Sequence, residues 1–164
     1  MGNDKKMTPE EKARQNVETM IKRCGMIYRH FAETLVDELG EEKGKELIAK
    51  AIERYGKETG EKVKEEVINQ GKERTVTNYL SDLPEYGWEA QEVERKEGEK
   101  QVFDIVRCPL AEYWQEKEMD PQLARLYCGI DQAKYRAYNP EIKCDHAKNM
   151  LDGDDRCRLV IEKD

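Results

Sequence analysis

Large aromatic anchors are scarce in this sequence: two Phe and two Trp stand among 164 residues, and charged residues at 40% outnumber apolar ones at 37%. Such a chain buries narrow apolar stripes and leaves broad charged faces in water, which favours a helix-rich globule. An excess of basic charge is also lacking. Lys and Arg number 29, Asp and Glu 36, and the net charge is −7. The bases alternate with acids and form no stripe, so a phosphate backbone would meet an acidic surface and nucleic acid is not an expected partner. No apolar run approaches the ~20 residues that span a bilayer. The opening Met1, Gly2, Asn3, Asp4, Lys5, Lys6 lacks the apolar core of a secretory signal. A cytoplasmic protein without a membrane partner is expected. Close CxxC pairs, the usual mark of a zinc site, are missing too.

The length suits a single domain over residues 1–164, with 1–7 as a mobile end. Thr8, Pro9 and Glu11 supply an N-cap, a first-turn proline and a capping-box acid, which start a helix there. Val17, Met20, Ile21, Cys24, Tyr28, Phe31, Leu35 and Leu39 recur at steps of three and four as its apolar face. That places Cys24 as a small buried side chain and His30 on the charged side. After Gly40 a second stripe runs from Leu47 to Val67, so a helical hairpin is expected. Gly56 and Gly60, one turn apart, permit close approach of another element or of a ligand.

From Trp88 onward the period changes to two. Residues 88–95 and 101–107 form a hairpin around Lys96–Glu99; Pro109 opens a short helix; a longer one runs from Asp120 and Pro121 to about Asn139. Residues 142–151 and 156–161 form a second hairpin around Asp152–Asp155. The expected fold is α+β: an N-terminal helical hairpin packed on an antiparallel sheet, with a helical insertion between the two β-hairpins.

Five cysteines, an odd number, in a reducing compartment read as thiols or ligands and not as a disulfide framework. Cys108 joins a strand to the helix opened by Pro109, where the positive end of the helix dipole favours a thiolate and lowers its pKa. A nucleophile, a metal ligand and a buried thiol at a tight joint all suit that position. Cys128 and Asp131, three apart on a helix, face the same way, as two ligands or as a cysteine with an orienting carboxylate. Cys144 and His146, two apart on a strand, share a face, and His146 is the best available general base. Cys157 alternates with Leu159 and Ile161 toward the core. Four thiols, Cys108, Cys128, Cys144 and Cys157, have the chemistry to hold zinc or an iron–sulfur cluster if folding brings them together.

Read together, Cys108-Pro109-Leu110-Ala111-Glu112-Tyr113-Trp114, Tyr127-Cys128 with Asp131, Tyr138-Asn139-Pro140 and Leu151-Asp152-Gly153-Asp154-Asp155-Arg156-Cys157 resemble the L-2-amino-thiazoline-4-carboxylic acid hydrolase family. Ala51-Ile52-Glu53-Arg54-Tyr55-Gly56 and Gly60 resemble its second helix, so the likeness covers most of the chain after about residue 30. Cys108, Cys128, Asp131 and Cys157 match family motif positions. The resemblance implies a hydrolase acting on a non-peptide C–N bond: 2-aminothiazoline-4-carboxylate takes up water and becomes S-carbamoyl-cysteine. In the mechanism expected from this, Cys108 attacks the amidine carbon, His146 relays protons, Asp131 orients the histidine or binds the amino group, and Arg107 or Arg136 holds the carboxylate. A metal-bound hydroxide held by these cysteines and His146 is the enzymatic variant. The glycine-aspartate turn before Cys157 is more loosely similar to 4-vinyl-reductase type ligand-binding domains, whose sensor relatives hold a structural zinc on cysteines. That likeness implies the alternative, a non-catalytic, sensor-like module for a small-molecule ligand. The oligomeric state is left open by the sequence.

Overall fold

The computed structural model describes residues 7–164; the end expected to be mobile lies outside the described residues, Met7 excepted. The long first helix, α1 (Pro9–Leu39), starts at the expected capping box: Thr8 Oγ1 accepts from the Glu11 amide at 3.1 Å, and the Glu11 carboxylate accepts from the Thr8 amide at 2.7 Å. Gly40, at φ +81°, turns the chain into α2 (Glu41–Asn69). The apolar face of α1 differs in one respect from its sequence pattern. Ile21, Gly25 and Ala32 are buried, whereas Met20, Cys24, Ile27 and Phe31 face outward. A helix this long meets its neighbours over only part of its circumference, so the stripe is wider than the surface that covers it. Cys24 is therefore exposed, not buried. His30 is exposed, as expected.

The first hairpin is β1 (Glu89–Lys96) and β2 (Lys100–Arg107). Helices α3 (Pro109–Glu116), α4 (Pro121–Tyr127) and α5 (Gly129–Tyr138) follow, then β3 (Ile142–Lys148) and β4 (Cys157–Lys163). The sheet is antiparallel throughout in the order β1-β2-β4-β3, so the helical insertion lies between two hairpins that join through β2 and β4. The fold is α+β: the N-terminal helical hairpin packs on the insertion helices, and α5 packs against β3. Two details depart from the sequence pattern. The expected long helix breaks at Cys128 into α4 and α5. The third strand stops at Lys148, where a bulge after His146 shifts the register and a 3-10 turn, Met150–Asp152, takes over.

Two apolar clusters flank the insertion. One gathers Ile21, Ile48, Ile52, Leu110, Trp114 and Leu123 among the helices; the other gathers Val63, Val67, Tyr138, Cys144, Leu159 and Ile161 between α2, α5 and the sheet. Trp114 is 1% exposed and its indole donates to the Gly25 carbonyl at 3.0 Å, which ties α3 to α1. The expectation for the α2 glycines is met by contact with α5: a Cβ at Gly60 would lie 2.1 Å from the Lys134 carbonyl oxygen, and one at Gly56 would lie 2.6 Å from the Ala133 Cβ. Only a helix lacking side chains there lets α5 come this close, and that approach fixes where Asp131 and Lys134 point.

Candidate active site

Between the two clusters lies a cavity of about 210 Å³. Its walls include the thiols of Cys108, Cys128 and Cys157, the rings of Trp88, Trp114 and Tyr127, and the polar groups of Asp82, Asp131, Lys134, His146 and Asn149. Five of the six expected site residues therefore meet at one place: Cys108, Cys128, Asp131, His146 and Cys157. The sixth, Cys144, shares the sheet face of His146 but sits two residues earlier, 3% exposed inside the sheet-side cluster. Strand alternation gives the face correctly, and the cavity covers only the end of it.

The polar wall is a chain of paired charges. Lys134 Nζ donates to Asp82 at 3.1 Å and lies 3.0 Å from Asp131 Oδ1; Asp131 Oδ2 lies 3.1 Å from His146 Nε2; and His146 Nδ1 takes a hydrogen bond from Gln132 Nε2 at 3.0 Å. With Gln132 donating, the imidazole carries its proton on Nε2 and gives it to Asp131. Both ring nitrogens are thus occupied, and the His146 side chain is only 3% exposed. His146 thus faces Asp131, the carboxylate expected to orient it. Asp131, by contrast, keeps 19% of its side-chain surface open, on the cavity it lines. Burial pushes the Asp131 carboxyl up, but the Lys134 ammonium and the His146 hydrogen bond outweigh it and hold the group below the usual carboxylate range. Burial pulls the Lys134 ammonium down, and Asp131 and Asp82 more than reverse it, so Lys134 stays charged far above neutral pH.

Cys108 follows β2 directly and precedes Pro109, the first residue of α3, as its sequence position implies. The amides of Ala111 and Leu110 and the Trp88 indole all favour its thiolate, yet burial is the larger effect and raises the thiol above its ordinary value. The expected lowering by the helix terminus is overruled: dipole and amides act on a sulfur already taken out of water. Cys128 is pushed up to about 12, again by burial, against an opposing contribution from the Asn149 amide. Cys157 is raised by burial too, and its sulfur accepts from the Met150 amide at 3.4 Å.

Neither arginine expected to hold a carboxylate reaches the cavity. Arg107 is bound by Glu18 at 2.9 Å and by Glu112 at 3.0 Å, and Arg136 lines a separate groove. Asp82, Lys134 and Asn149 are the polar residues that sequence reasoning missed. The i, i+3 spacing of Asp131 and Lys134 on one helix was the available signal for the lysine. Among the described residues, no group of three or more His, Cys, Asp or Glu side chains is placed to hold a metal ion. The thiols are divided, Cys144 lying in the sheet-side cluster and the others on the cavity, so the zinc or iron–sulfur reading finds no support in this arrangement. Among the described residues, no helix is long and apolar enough to cross a membrane.

Residues 20–161 match the model of the L-2-amino-thiazoline-4-carboxylic acid hydrolase family. The chain belongs to that family. Every cavity residue named above lies within the matched stretch. No curated protein matches the sequence. Solved structures also share the fold, among them two at low identity. One is a trafficking protein particle complex subunit 3 from Naegleria fowleri covalently bound to palmitic acid, at 14% identity and a TM-score of 0.54, covering 89% of this chain and 96% of that one. The other is the phenol-responsive sensory domain of the transcription activator PoxR with phenol, at 15% identity and 0.55, covering 87% and 74%. At such identities they speak for the fold of this hydrolase-family chain alone.

Proposed function

We propose that this protein hydrolyses a cyclic amidine of the 2-aminothiazoline-4-carboxylate type, with Cys108 as nucleophile and Asp131 as the anchor of the amidine. One observation carries the reading: in a chain of this family, a cysteine at a strand-to-helix joint and a carboxylate locked in the ionised form line the same cavity. An amidinium presents a planar fork of N–H donors, which suits a carboxylate in the way a guanidinium does. Lys134 and His146 take one lone pair from each Asp131 oxygen and leave the others for the ligand.

The buried thiol is unreactive until a cation arrives. A cationic amidine beside Cys108 offsets the cost of desolvation and favours its thiolate. The sulfur then bonds to the amidine carbon, and the ring C–N bond breaks with its electron pair going to nitrogen, which receives the proton given up by Cys108. Water adds to the resulting carbon, the Cys108–carbon bond breaks, and the thiol regains a proton. The product is S-carbamoyl-cysteine, and the sum is substrate plus one water. His146 is a positioning residue here, acting through Asp131.

A second reading has its own support: burial raises all three cavity thiols, which at neutral pH makes them a weakly polar lining for a ligand that is held and not transformed. Incubation of the purified protein with the thiazoline acid distinguishes the two. The hydrolase reading expects S-carbamoyl-cysteine, and a fall in turnover of roughly 10³-fold or more in Cys108→Ser. Ligand-induced thermal stabilisation without product would favour the binding module, and unchanged turnover in Cys108→Ser would remove the nucleophile.

A further inference from the structure

The side chain of Asn149 is 1% exposed and lines the cavity. Its orientation is set by the backbone around it. Oδ1 accepts from the Leu151 amide at 2.9 Å, capping the 3-10 turn, while the Asn149 amide donates to Asp154 Oδ2 at 2.8 Å. Turning the carboxamide over would set its NH2 group against the Leu151 N–H and lose the cap, so Nδ2 is held in the opposite direction. Among the described residues, no group stands in hydrogen-bonding geometry to accept from it. The Cys128 sulfur is its neighbour and a weak acceptor at best. A buried donor left without an acceptor is costly, and Asn149 lines the cavity, where a ligand would bring one.

The charged side of the same cavity indicates what kind of ligand would bring that acceptor. Asp82 and Asp131 together outnumber Lys134, whose ammonium they already hold. A carboxylate placed there would meet net negative charge, whereas a cation would be welcome. The Asn149 end offers neutral thiols and a fixed N–H donor instead. We propose that Asn149 is a ligand-binding residue, its Nδ2 donating to the carboxylate of a zwitterionic amidine whose cationic end faces Asp131. This rests on the amidine reading above and assigns the role first expected of Arg107 or Arg136. The ligand then spans the cavity, and selection for the carboxylate resides in a neutral amide.

Calorimetric titration of the full chain with 2-aminothiazoline-4-carboxylate and with its parent lacking the carboxylate, 2-aminothiazoline, tests this. Asn149→Asp and Asn149→Ser both keep an oxygen able to cap Leu151, and both remove the N–H donor. Wild type should prefer the acid by at least about 10-fold. Both variants should lose that preference while binding the parent as wild type does, a result that a purely structural role for the cap would not give. An undiminished preference in Asn149→Ser, equal affinity of wild type for the two compounds, or no binding of either would overturn the proposal. Preferential binding of the acid that vanishes in the variants, with no S-carbamoyl-cysteine formed, would sustain it and defeat the hydrolase reading instead.

Discussion

The charged side of the cavity and its thiol side bury polar atoms in opposite ways. Asp82, Lys134, Asp131 and His146 are each joined to the next, so the charges of Lys134 and Asp131 survive burial because both have partners. Cys108, Cys128 and Cys157 survive it by remaining neutral, burial having raised all three. On the proposed reading, one side binds a cation and the other becomes reactive only when a cation is bound. The difference then teaches that the thiols alone would not make the site; the charged chain would select the ligand that switches them on.

The sharpest way to break the contrast is to remove the cation that holds the charged side together. Lys134→Met leaves the Asp131 carboxylate, drawn out of water, without its ammonium partner and should destabilise the protein by about 3–5 kcal/mol, read by urea denaturation. Cys108→Ser, on the neutral side, should cost far less. A loss for Lys134→Met no larger than for Cys108→Ser would erase the distinction.

Asp131→Asn comes next, at about 1.5–3 kcal/mol for a hydrogen-bonded charge, and its signature is the dependence on pH. The folded-state pKa of Asp131 lies below the unfolded value of about 3.9, so its contribution is complete above that pH and is lost as pH falls through the lower, folded value. For Lys134 the folded value is raised, so its contribution is complete below about 10.4 and is lost only as pH climbs past the folded value. A pH series should give a plateau between these limits with an acid limb that is shallower in Asp131→Asn. An identical acid limb in both proteins would show that Asp131 is not held by its partners.

The smallest effect concerns thiol chemistry. Iodoacetamide at neutral pH should alkylate exposed Cys24 first and leave the cavity thiols and Cys144 slow, as peptide mapping would report. Rapid labelling of Cys108 in the ligand-free protein would contradict its neutral state.

Much of this arrangement was legible in the residues. Thr8, Pro9 and Glu11 start α1 because capping is local chemistry, and Gly56 and Gly60 announce a close neighbour because their spacing leaves few other uses. The strand-to-helix position of Cys108 and the common face of Cys128 and Asp131 follow from period and proline placement. What stayed hidden depends on how far a cavity extends. Period two puts Cys144 and His146 on one face without saying that only the latter reaches the hollow. Lys134 and Asn149 look like ordinary surface residues until α5 packs on α2 and β3 gives way to a 3-10 turn. Likewise the helix terminus at Cys108 suggested a lowered pKa, and the depth that reverses it is a tertiary property.

Intact-mass analysis of acid-quenched turnover mixtures, followed by peptide mapping, tests the central claim most directly. With 2-aminothiazoline-4-carboxylate the account predicts a transient adduct on the peptide carrying Cys108, absent from Cys108→Ser and scarce in Asp131→Asn. Steady formation of S-carbamoyl-cysteine with no adduct, and at an equal rate in Cys108→Ser, would contradict it.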